Sequence, residues 1–375
     1  MPTTQPGTPD PAFGTLGEAV LAKIVEEHPE LIVRHHINGL TTDQDGNVLF
    51  SASFYADAGY IYGLGRLNAK GNLDKKFGNN GLVFDRFLPG LPAGGSGLTV
   101  QHDGKILMLG WTWPTPNDAW AALAIARFNS QGDLDTGFAE NGVRVLTTHL
   151  DDELIEASPT VHEQPDGHIL ITANYLKRGN TELTTGTLFR LRPDGVLDSS
   201  FNSDGRLDFK LTDPTAPTAI NACISQGSDH KIVIAGHARR PSGLNTALFA
   251  RFSHDGTLDA SFGNFQTPGL HYVEDEAINN HASLYDLTER SDNSLVGAGQ
   301  VAGIKTKGLL RAITPNGAAH QLFNNGKPLV SQFESSRDNG WQCIMSTRAG
   351  QLVTASTGGG IYIAQFKADG ALNLA

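Results

Sequence analysis

ARFNSQGDLDTGFAENG, residues 126–142, occurs in the chain four times with small changes. The near-copies are GRLNAKGNLDKKFGNNG (65–81), FRLRPDGVLDSSFNSDG (189–205) and ARFSHDGTLDASFGNFQ (250–266). Each copy keeps an arginine, an aspartate eight residues later and a phenylalanine three residues after that. A string that recurs in this way is either a binding site used several times or the structural unit of a repeat fold.

The spacing of two landmarks indicates a structural unit. The motif phenylalanine recurs at intervals of 64, 61, 63, 61 and 61 residues, at Phe13, Phe77, Phe138, Phe201, Phe262 and Phe323. A polar turn followed by an apolar run also occurs six times, as in DGKILMLG (103–110) and DGHILITA (166–173). Asp-Gly supplies the positive φ angles of tight hairpins, so each copy predicts four short strands, A to D.

Six such units predict an all-β fold, a six-bladed β-propeller of four-stranded blades. The B strands are apolar without alternation, which is typical of strands buried on both faces. The last copy stops at QFKADGALNLA (365–375), and the missing half, PDPAFGTLG (9–17) and EAVLAKIV (18–25), stands at the N-terminus. We therefore expect the N-terminal strand to complete the last blade and close the ring.

The predicted organisation is a single β-propeller domain over residues 1–375. Residues 1–25 form the closing segment, which includes strand D of the last blade. The predicted blades are roughly 35–88, 95–147, 157–212, 219–274, 282–333, and 340–375 plus 9–25.

The RxxxxGxLDxxFGxxG string resembles the delta-60 repeat, a bacterial β-propeller repeat family that is largely functionally uncharacterised. The resemblance covers nearly the whole chain. It implies the propeller fold, and it supplies no catalytic residues because the family has no agreed ones.

Comparison of the copies predicts that the motif arginine and aspartate form a structural pair. Four copies hold both residues, whereas copy five has Ala312 and His320 and copy six has Gln365 and Asn373 at these positions. The two residues of a buried ion pair are expected to be lost together, because removal of one partner leaves the other as an unpaired buried charge. A set of calcium loops is disfavoured, since each motif offers one carboxylate and calcium takes about six oxygens.

Composition excludes several classes of partner. Net charge is −11, from 39 acidic and 28 basic side chains, which disfavours nucleic acid. No apolar run reaches the roughly 18 residues of a membrane span, and the N-terminus lacks a Sec-type signal. Localisation is left open between the cytoplasm and export by a signal-less route. The two cysteines are expected to be buried hydrophobes, and a monomer is favoured.

Candidate binding residues come from the B–C and D–A loops, which emerge on one face of a propeller. The loop GWTWPTPNDAWAA (110–122) contains Trp111, Trp113 and Trp120, which either form a recognition surface or fold over their own blade. Two D–A connections carry a histidine before acidic residues, which are either ligand-binding or ordinary solvated side chains: His149, Asp151, Asp152 and Glu153, and His271, Glu274, Asp275 and Glu276.

The sequence favours a non-enzymatic binding module that presents the B–C/D–A face to a protein, a glycan or a cationic ligand. The alternative is a hydrolase or lyase that acts at the central mouth with carboxylates, as some propellers do. No catalytic residue and no cofactor is predicted. A bound cation at the mouth is compatible with the acidic clusters.

Overall fold

The computed structural model describes residues 13, 26 and 28–371, with gaps at 57–58, 117–119, 148–151, 156–158, 178, 212, 214, 333–337, 348–349 and 357–362. At 33–36, 152 and 181–182 only the backbone is described. Two compact units are distinguished: Met1–Glu163 with Gly167–Ala173 and Leu191–Val196, and Gln164–Asp166 with Asn174–Arg190 and Leu197–Ala375. The third repeat is divided between them.

The first unit contains two four-stranded antiparallel sheets and the start of a third. Sheet 1 consists of β1 (Ile32–Thr42), β2 (Val48–Ala56), β3 (Gly59–Leu67) and β4 (Leu82–Asp85). Sheet 2 consists of β5 (Ala93–Val100), β6 (Ile106–Thr112), β7 (Ala122–Phe128) and β8 (Val143–Leu146). A short strand β9 (Asp152–Leu154) follows, and sheet 3 begins with β10 (Thr160–Glu163) and β11 (Ile169–Lys177).

The second unit takes up the chain from the end of β11. Sheet 3 continues with β12 (Asn180–Leu191) and β13 (Arg206–Phe209). Sheet 4 consists of β14 (Thr218–Gln226), β15 (Lys231–Arg239), β16 (Asn245–Phe252) and β19 (Leu270–Tyr272), with a small hairpin of β17 (Gly263–Asn264) and β18 (Thr267–Pro268). Sheet 5 consists of β20 (Ala282–Glu289), β21 (Leu295–Val301), β22 (Lys307–Ile313) and β23 (Leu329–Ser331), and sheet 6 of β24 (Trp341–Ser346), β25 (Leu352–Ser356) and β26 (Ile363–Phe366).

Local sequence explains the up-and-down order of each sheet. The Asp-Gly turns between the first and second strands place glycine at positive φ, 82° at Gly104 and 83° at Gly167. Glycine adopts this conformation without the steric cost of a Cβ. The second strands are buried on both faces, as the apolar run ILMLGWT of β6 shows. Strand type and order therefore follow from the turn residues and the apolar runs.

The core of each unit lies between successive sheets. In the first unit, Leu64 and Phe77 of sheet 1 pack with Met108 and Phe128 of sheet 2. In the second unit, Phe249 of sheet 4 packs with Leu284 of sheet 5. The motif phenylalanine is buried in five copies and lies against a turn glycine of the next copy, as Phe138 does at Gly195.

The repeated string links each of sheets 1 to 4 to the following copy. Arginine contacts aspartate at 2.7–2.8 Å in the four motif pairs: Arg66–Asp74, Arg127–Asp135, Arg190–Asp198 and Arg251–Asp259. Each guanidinium also lies 4.5–4.9 Å from the centre of the motif phenylalanine ring. Its Nη1 donates to a turn carbonyl of the next copy: Ser130, Pro193, His254 and Pro315. The string is therefore a structural unit.

The prediction of an all-β protein built from four-stranded antiparallel sheets is confirmed. The described part contains no α-helix, and a 3₁₀ turn lies at Asn324–Gly326. Sheet 6 has three strands among the described residues, and the predicted closing strand, 18–25, lies outside them. No helix in the described part is long and apolar enough to cross a membrane.

Candidate functional site

The predicted tryptophan surface is only partly exposed. Trp111 lies on β6, and its ring meets the Tyr60 ring edge-on with centroids 5.9 Å apart. Trp113 is exposed, and its backbone N–H donates to the Pro92 carbonyl at 3.3 Å. Trp120 is half-buried and lies two residues before β7 begins. Trp111 therefore packs against sheet 1, and Trp113 is the tryptophan that projects most.

The first predicted acidic segment is described only at its end. His149 and Asp151 lie outside the described residues, Asp152 is described by its backbone in β9, and Glu153 is half-buried. In the second segment Glu274 and Glu276 are exposed, and Glu274 lies 3.7 Å from Arg240. Asp275 is partly exposed and accepts the Ala277 N–H.

His271 precedes these acids in the chain, but its side chain is bonded to a different residue. It is buried on β19, and its Nε2 accepts a hydrogen bond from Arg311 Nε at 3.0 Å. Burial, together with the Arg311 charge, lowers the pKa of His271 to about 4. Its imidazole is therefore neutral at physiological pH and serves as an acceptor for a buried guanidinium.

Irregularities in the first strand of several sheets place polar side chains against a neighbouring sheet. The pairing of the first and second strands shifts at a β-bulge in sheets 1, 2, 4, 5 and 6. In the second unit, Asn221 at the sheet 4 bulge donates to the Leu284 carbonyl at 2.6 Å. Asp286 follows the sheet 5 bulge and accepts the Ile344 N–H at 2.8 Å. Bulges redirect side chains and are frequent next to active sites.

Among the described aspartates with a shifted pKa, Asp286 is the one whose pKa is raised. It lies on β20 and is partly exposed, and its second oxygen accepts the Leu287 N–H at 2.8 Å. Burial raises the pKa of Asp286 to about 6, against the opposing effect of the two N–H donors. A carboxyl group of this kind gives and takes protons near neutral pH.

Three further polar side chains lie on neighbouring strands of sheets 4 and 5. His237 is on β15, and Ser283 and Tyr285 are on β20, the strand that also carries Asp286. Ser283 Oγ lies 3.0 Å from His237 Nδ1. Burial, with the charges of Arg239 and His281, lowers the pKa of His237 to about 4, so its ring is neutral. Burial raises the pKa of Tyr285, and hydrogen bonding to Ser283 partly offsets the rise. We refer to His237, Ser283, Tyr285 and Asp286 as the β20 cluster.

Sequence reasoning missed the β20 cluster, although a comparison of copies contains a signal for it. Asp286 pairs with Ala298 of β21, and the positions paired in the same way elsewhere are Gly39, Thr160, Ala222 and Cys343. A carboxylate therefore stands in one copy where these other copies hold an uncharged residue. Among the described residues, no three His, Cys, Asp or Glu side chains are grouped so as to hold a metal ion.

Three segments of the chain match a family model described as "Domain of unknown function (DUF5122) beta-propeller". They are residues 101–138, 164–201 and 227–262, which contain the second strand, third strand and motif phenylalanine of copies two to four. No curated protein matches the chain.

Solved structures share the fold at very low identity. The α-L-arabinanase of Penicillium chrysogenum, complexed with arabinobiose, is 9% identical with a TM-score of 0.53 over 92% of this chain and 96% of that chain. A polysaccharide lyase, ulvan lyase, is 10% identical with a TM-score of 0.47 over 91% and 85%. The Hadza microbial sialidase Hz136 is 9% identical with a TM-score of 0.47 over 88% of this chain, which spans 65% of the sialidase.

These neighbours correct the predicted function. The sequence favoured a non-enzymatic binding module, but the arabinanase that shares the fold is an enzyme, and this finding favours the enzymatic alternative over that prediction. At such identities the likeness shows the fold alone. The chain thus carries repeats similar to those of the DUF5122 β-propeller family and is built from four-stranded sheets of the propeller kind.

Proposed function

We propose that the protein is a glycan-active hydrolase or lyase in which the carboxyl group of Asp286 transfers a proton. The observation that carries the proposal is the placement of Asp286, half-buried after a bulge, where other copies hold the uncharged residues Gly39, Thr160, Ala222 and Cys343. A carboxylate that a repeat fold introduces in one copy alone has a purpose specific to that copy.

The chemistry follows from the protonation of this group. With a pKa of about 6, Asp286 is present in both protonation states near pH 6. The acid form can protonate a leaving glycosidic oxygen, and the carboxylate can accept a proton from water or from the carbon next to a uronate carboxyl. Tyr285, hydrogen-bonded to Ser283, lies next to it in the chain and can orient a sugar hydroxyl. Glycans are chosen as the substrate class because the arabinanase of similar fold was solved with arabinobiose.

The test is a comparison of Asp286→Asn with Asn221→Ala on a panel of neutral and uronate-containing polysaccharides. Release of reducing ends reports hydrolysis, and unsaturated uronate reports elimination. Asp286→Asn should lower kcat by roughly 10²-fold or more. In the wild type, a pH-rate limb should fall near pH 6, and it should be absent from the residual activity of the variant.

Asn221→Ala is the matched control, because it removes a hydrogen bond between first strands without removing a titratable group. It should retain the pH-rate limb. Equal losses of activity and of Tm in both variants would mean that Asp286 only joins β20 to β24, and the proposal would then be wrong.

We also propose that the six sheets form a closed six-bladed ring of delta-60 repeats, with 18–25 as the missing strand of sheet 6. Two exposed residues support closure. Ile363 is 78% exposed, although its counterparts Phe249 and Leu310 are fully buried. Leu40 is 67% exposed, although its counterparts Leu287 and Ile344 are buried against the preceding sheet. Closure of the ring gives both residues a neighbouring sheet.

Ile363→Lys tests closure against Ile304→Lys, which makes the same change at a fully exposed position. If the ring is closed, Ile363→Lys should lower the free energy of unfolding by about 2 kcal/mol or more, because a charge enters an apolar contact. Ile304→Lys should change it by less than about 0.5 kcal/mol. Equal effects in urea denaturation would contradict closure.

A further inference from the structure

Basic residues are concentrated in the B–C loops of three consecutive copies, copies three to five. The loops at 177–180, 239–245 and 301–307 contain six basic and no acidic residues. The B–C loops of the other copies contain no basic residue: 56–59, 112–122 and 356–363. In a chain with a net charge of −11, this distribution distinguishes the three loops from the rest of the molecule.

Hydrogen bonds and a shared groove place the three loops side by side in the second unit. The Asn245 N–H donates to His281 Nδ1 at 3.0 Å, and the Ala302 N–H donates to the His281 carbonyl at 2.7 Å. The loops of copies four and five therefore meet at His281. Asn180 and Arg240 line one groove, so the loop of copy three lies beside that of copy four.

Three lysines supply the unpaired charge of these loops. Lys177 and Lys307 are exposed, and Lys305 is half-buried. Within the described part of the chain, none of these three lysines forms a salt bridge. Unpaired ammonium groups at the surface attract negatively charged ligands.

The acidic groups beside the loops make other contacts. Asp338 Oδ1 accepts the Thr306 N–H at 2.6 Å, and Glu274 lies 3.7 Å from Arg240. The Arg240 guanidinium also lies over the Tyr272 ring, 4.1 Å from its centre. Arg240 therefore has an acidic neighbour within the chain, whereas the three lysines do not.

The loops adjoin the β20 cluster. Arg239 and His237 both lie on β15, and His237 Nδ1 is 3.0 Å from Ser283 Oγ. His281 precedes Ser283 by two residues. A chain that is bound along the three loops therefore passes the start of β20, which carries Ser283 and Tyr285.

A ligand that meets unpaired cations on three consecutive copies is extended and carries several negative charges. A small anion would reach one loop only. Duplex nucleic acid carries one charge per roughly 1.7 Å of its axis, which the acidic remainder of the chain repels. A polysaccharide with one carboxylate or sulfate group on a sugar spaces its charges more widely and suits lysines on separate loops.

We propose that the B–C loops of copies three to five bind an anionic polysaccharide, one that carries carboxylate or sulfate groups, along Lys177, Lys305 and Lys307. The choice of a polysaccharide among polyanions rests on the proposed function, and the inference narrows the substrates of that function to acidic glycans.

A fluorescein-labelled oligogalacturonate, measured by fluorescence anisotropy on the full chain, is the probe. Lys305→Glu combined with Lys307→Glu should bind it about tenfold or more weakly than the wild type. Lys177→Glu, in the loop of copy three, should also weaken binding, because the ligand spans all three loops. Added salt should weaken binding to the wild type. Labelled dextran sulfate, measured in the same way, shows whether sulfate groups are bound as well as carboxylates.

Lys327→Glu combined with Lys367→Glu is the matched control, because it makes the same charge change at two exposed lysines of the C–D connections. It should bind the probe as the wild type does. Equal binding by the two double variants, or equal binding of an oligogalacturonate with methyl-esterified carboxyl groups, would overturn the proposal. So would binding of a single-stranded oligonucleotide while neither acidic glycan binds.

Asp286→Asn separates this inference from the proposed function. The variant should bind the probe as the wild type does, since the lysines are unchanged. If the wild type binds acidic glycans through these lysines but cleaves none, the proposed function is wrong and the inference stands. If Asp286-dependent cleavage occurs on neutral glycans alone, the inference is wrong and the proposed function stands.

Discussion

Sheets 4 and 5 hold a buried arginine in two different ways. In sheet 4, Arg251 pairs with Asp259 at 2.8 Å and donates to the Pro315 carbonyl of the next copy. In sheet 5, Ala312 takes the place of the motif arginine, and Arg311 lies one residue earlier on β22, where it donates to His271. Neighbouring residues of a strand point to opposite faces, so the two arginines serve opposite faces of their sheets.

The difference teaches how a repeat tolerates the loss of its charged pair. Copy five has replaced both motif residues, and His320, which stands at the aspartate position, lies 3.6 Å from Asp292 instead. The buried guanidinium of this copy, that of Arg311, donates instead to a neutral acceptor, His271. A carboxylate partner is lost by protonation only in strong acid, whereas a histidine partner is lost in mild acid.

The largest expected effect is that of Asp198→Ala. Arg190 is fully buried, and Asp198 contacts its Nε and Nη2 at 2.7 Å. The variant leaves a guanidinium without its counter-charge, so the free energy of unfolding should fall by about 3–5 kcal/mol in urea denaturation. Arg190→Gln combined with Asp198→Asn imitates copy six and should recover part of this loss. Simple addition of the two single effects would mean that the pair is not coupled.

A smaller effect is expected at Arg311, and it should depend on pH. The pKa of His271 is about 4 in the folded state, below its usual value of about 6.5, so the folded state binds fewer protons between these values. The stability that His271 contributes is therefore fully present above about pH 6.5 and is lost as the pH falls toward 4. His237 adds to the same trend, since burial lowers its pKa to about 4 as well.

His271→Gln isolates this contribution, because an amide oxygen can accept from Arg311 without titrating. The difference in unfolding free energy between pH 7 and pH 4.5 should be about 1–3 kcal/mol smaller in the variant than in the wild type. The Asp198 pair gives no such difference. Burial alone would raise the pKa of Asp198, but hydrogen bonds from Ser200 and the charge of Arg190 lower it. An unchanged difference in His271→Gln would contradict the role assigned to His271.

The smallest effect is expected from an exposed ion pair that follows β12 of sheet 3. Arg192 and Asp194 are 2.9 Å apart, but both side chains are about half exposed to solvent. Arg192→Ala should change the free energy of unfolding by less than about 0.5 kcal/mol, because water screens the charges. A loss comparable to that of Asp198→Ala would show that burial does not decide the strength of these pairs.

The structural unit could be predicted from the sequence, and the candidate site could not. The Asp-Gly turns, the apolar second strands and the phenylalanine spacing are local features, and they predicted the strand order of each sheet. Asp286 has no local signature, because its pKa depends on a bulge in β20 and on the backbone of β24. His271 was predicted as a ligand residue from the acids after it, yet Arg311, forty residues away in the chain, determines its contacts.

The sequence by itself determined the repeat, the four-stranded antiparallel sheets and the motif pairs, because each depends on residues within one period of about 61 residues. Only the tertiary structure decided which polar groups meet between sheets. The β20 cluster lies where sheets 4 and 5 pack together, and an alignment of copies does not contain that packing. Burial and the distance between side chains, which set pKa values and binding surfaces, arise only when the sheets assemble.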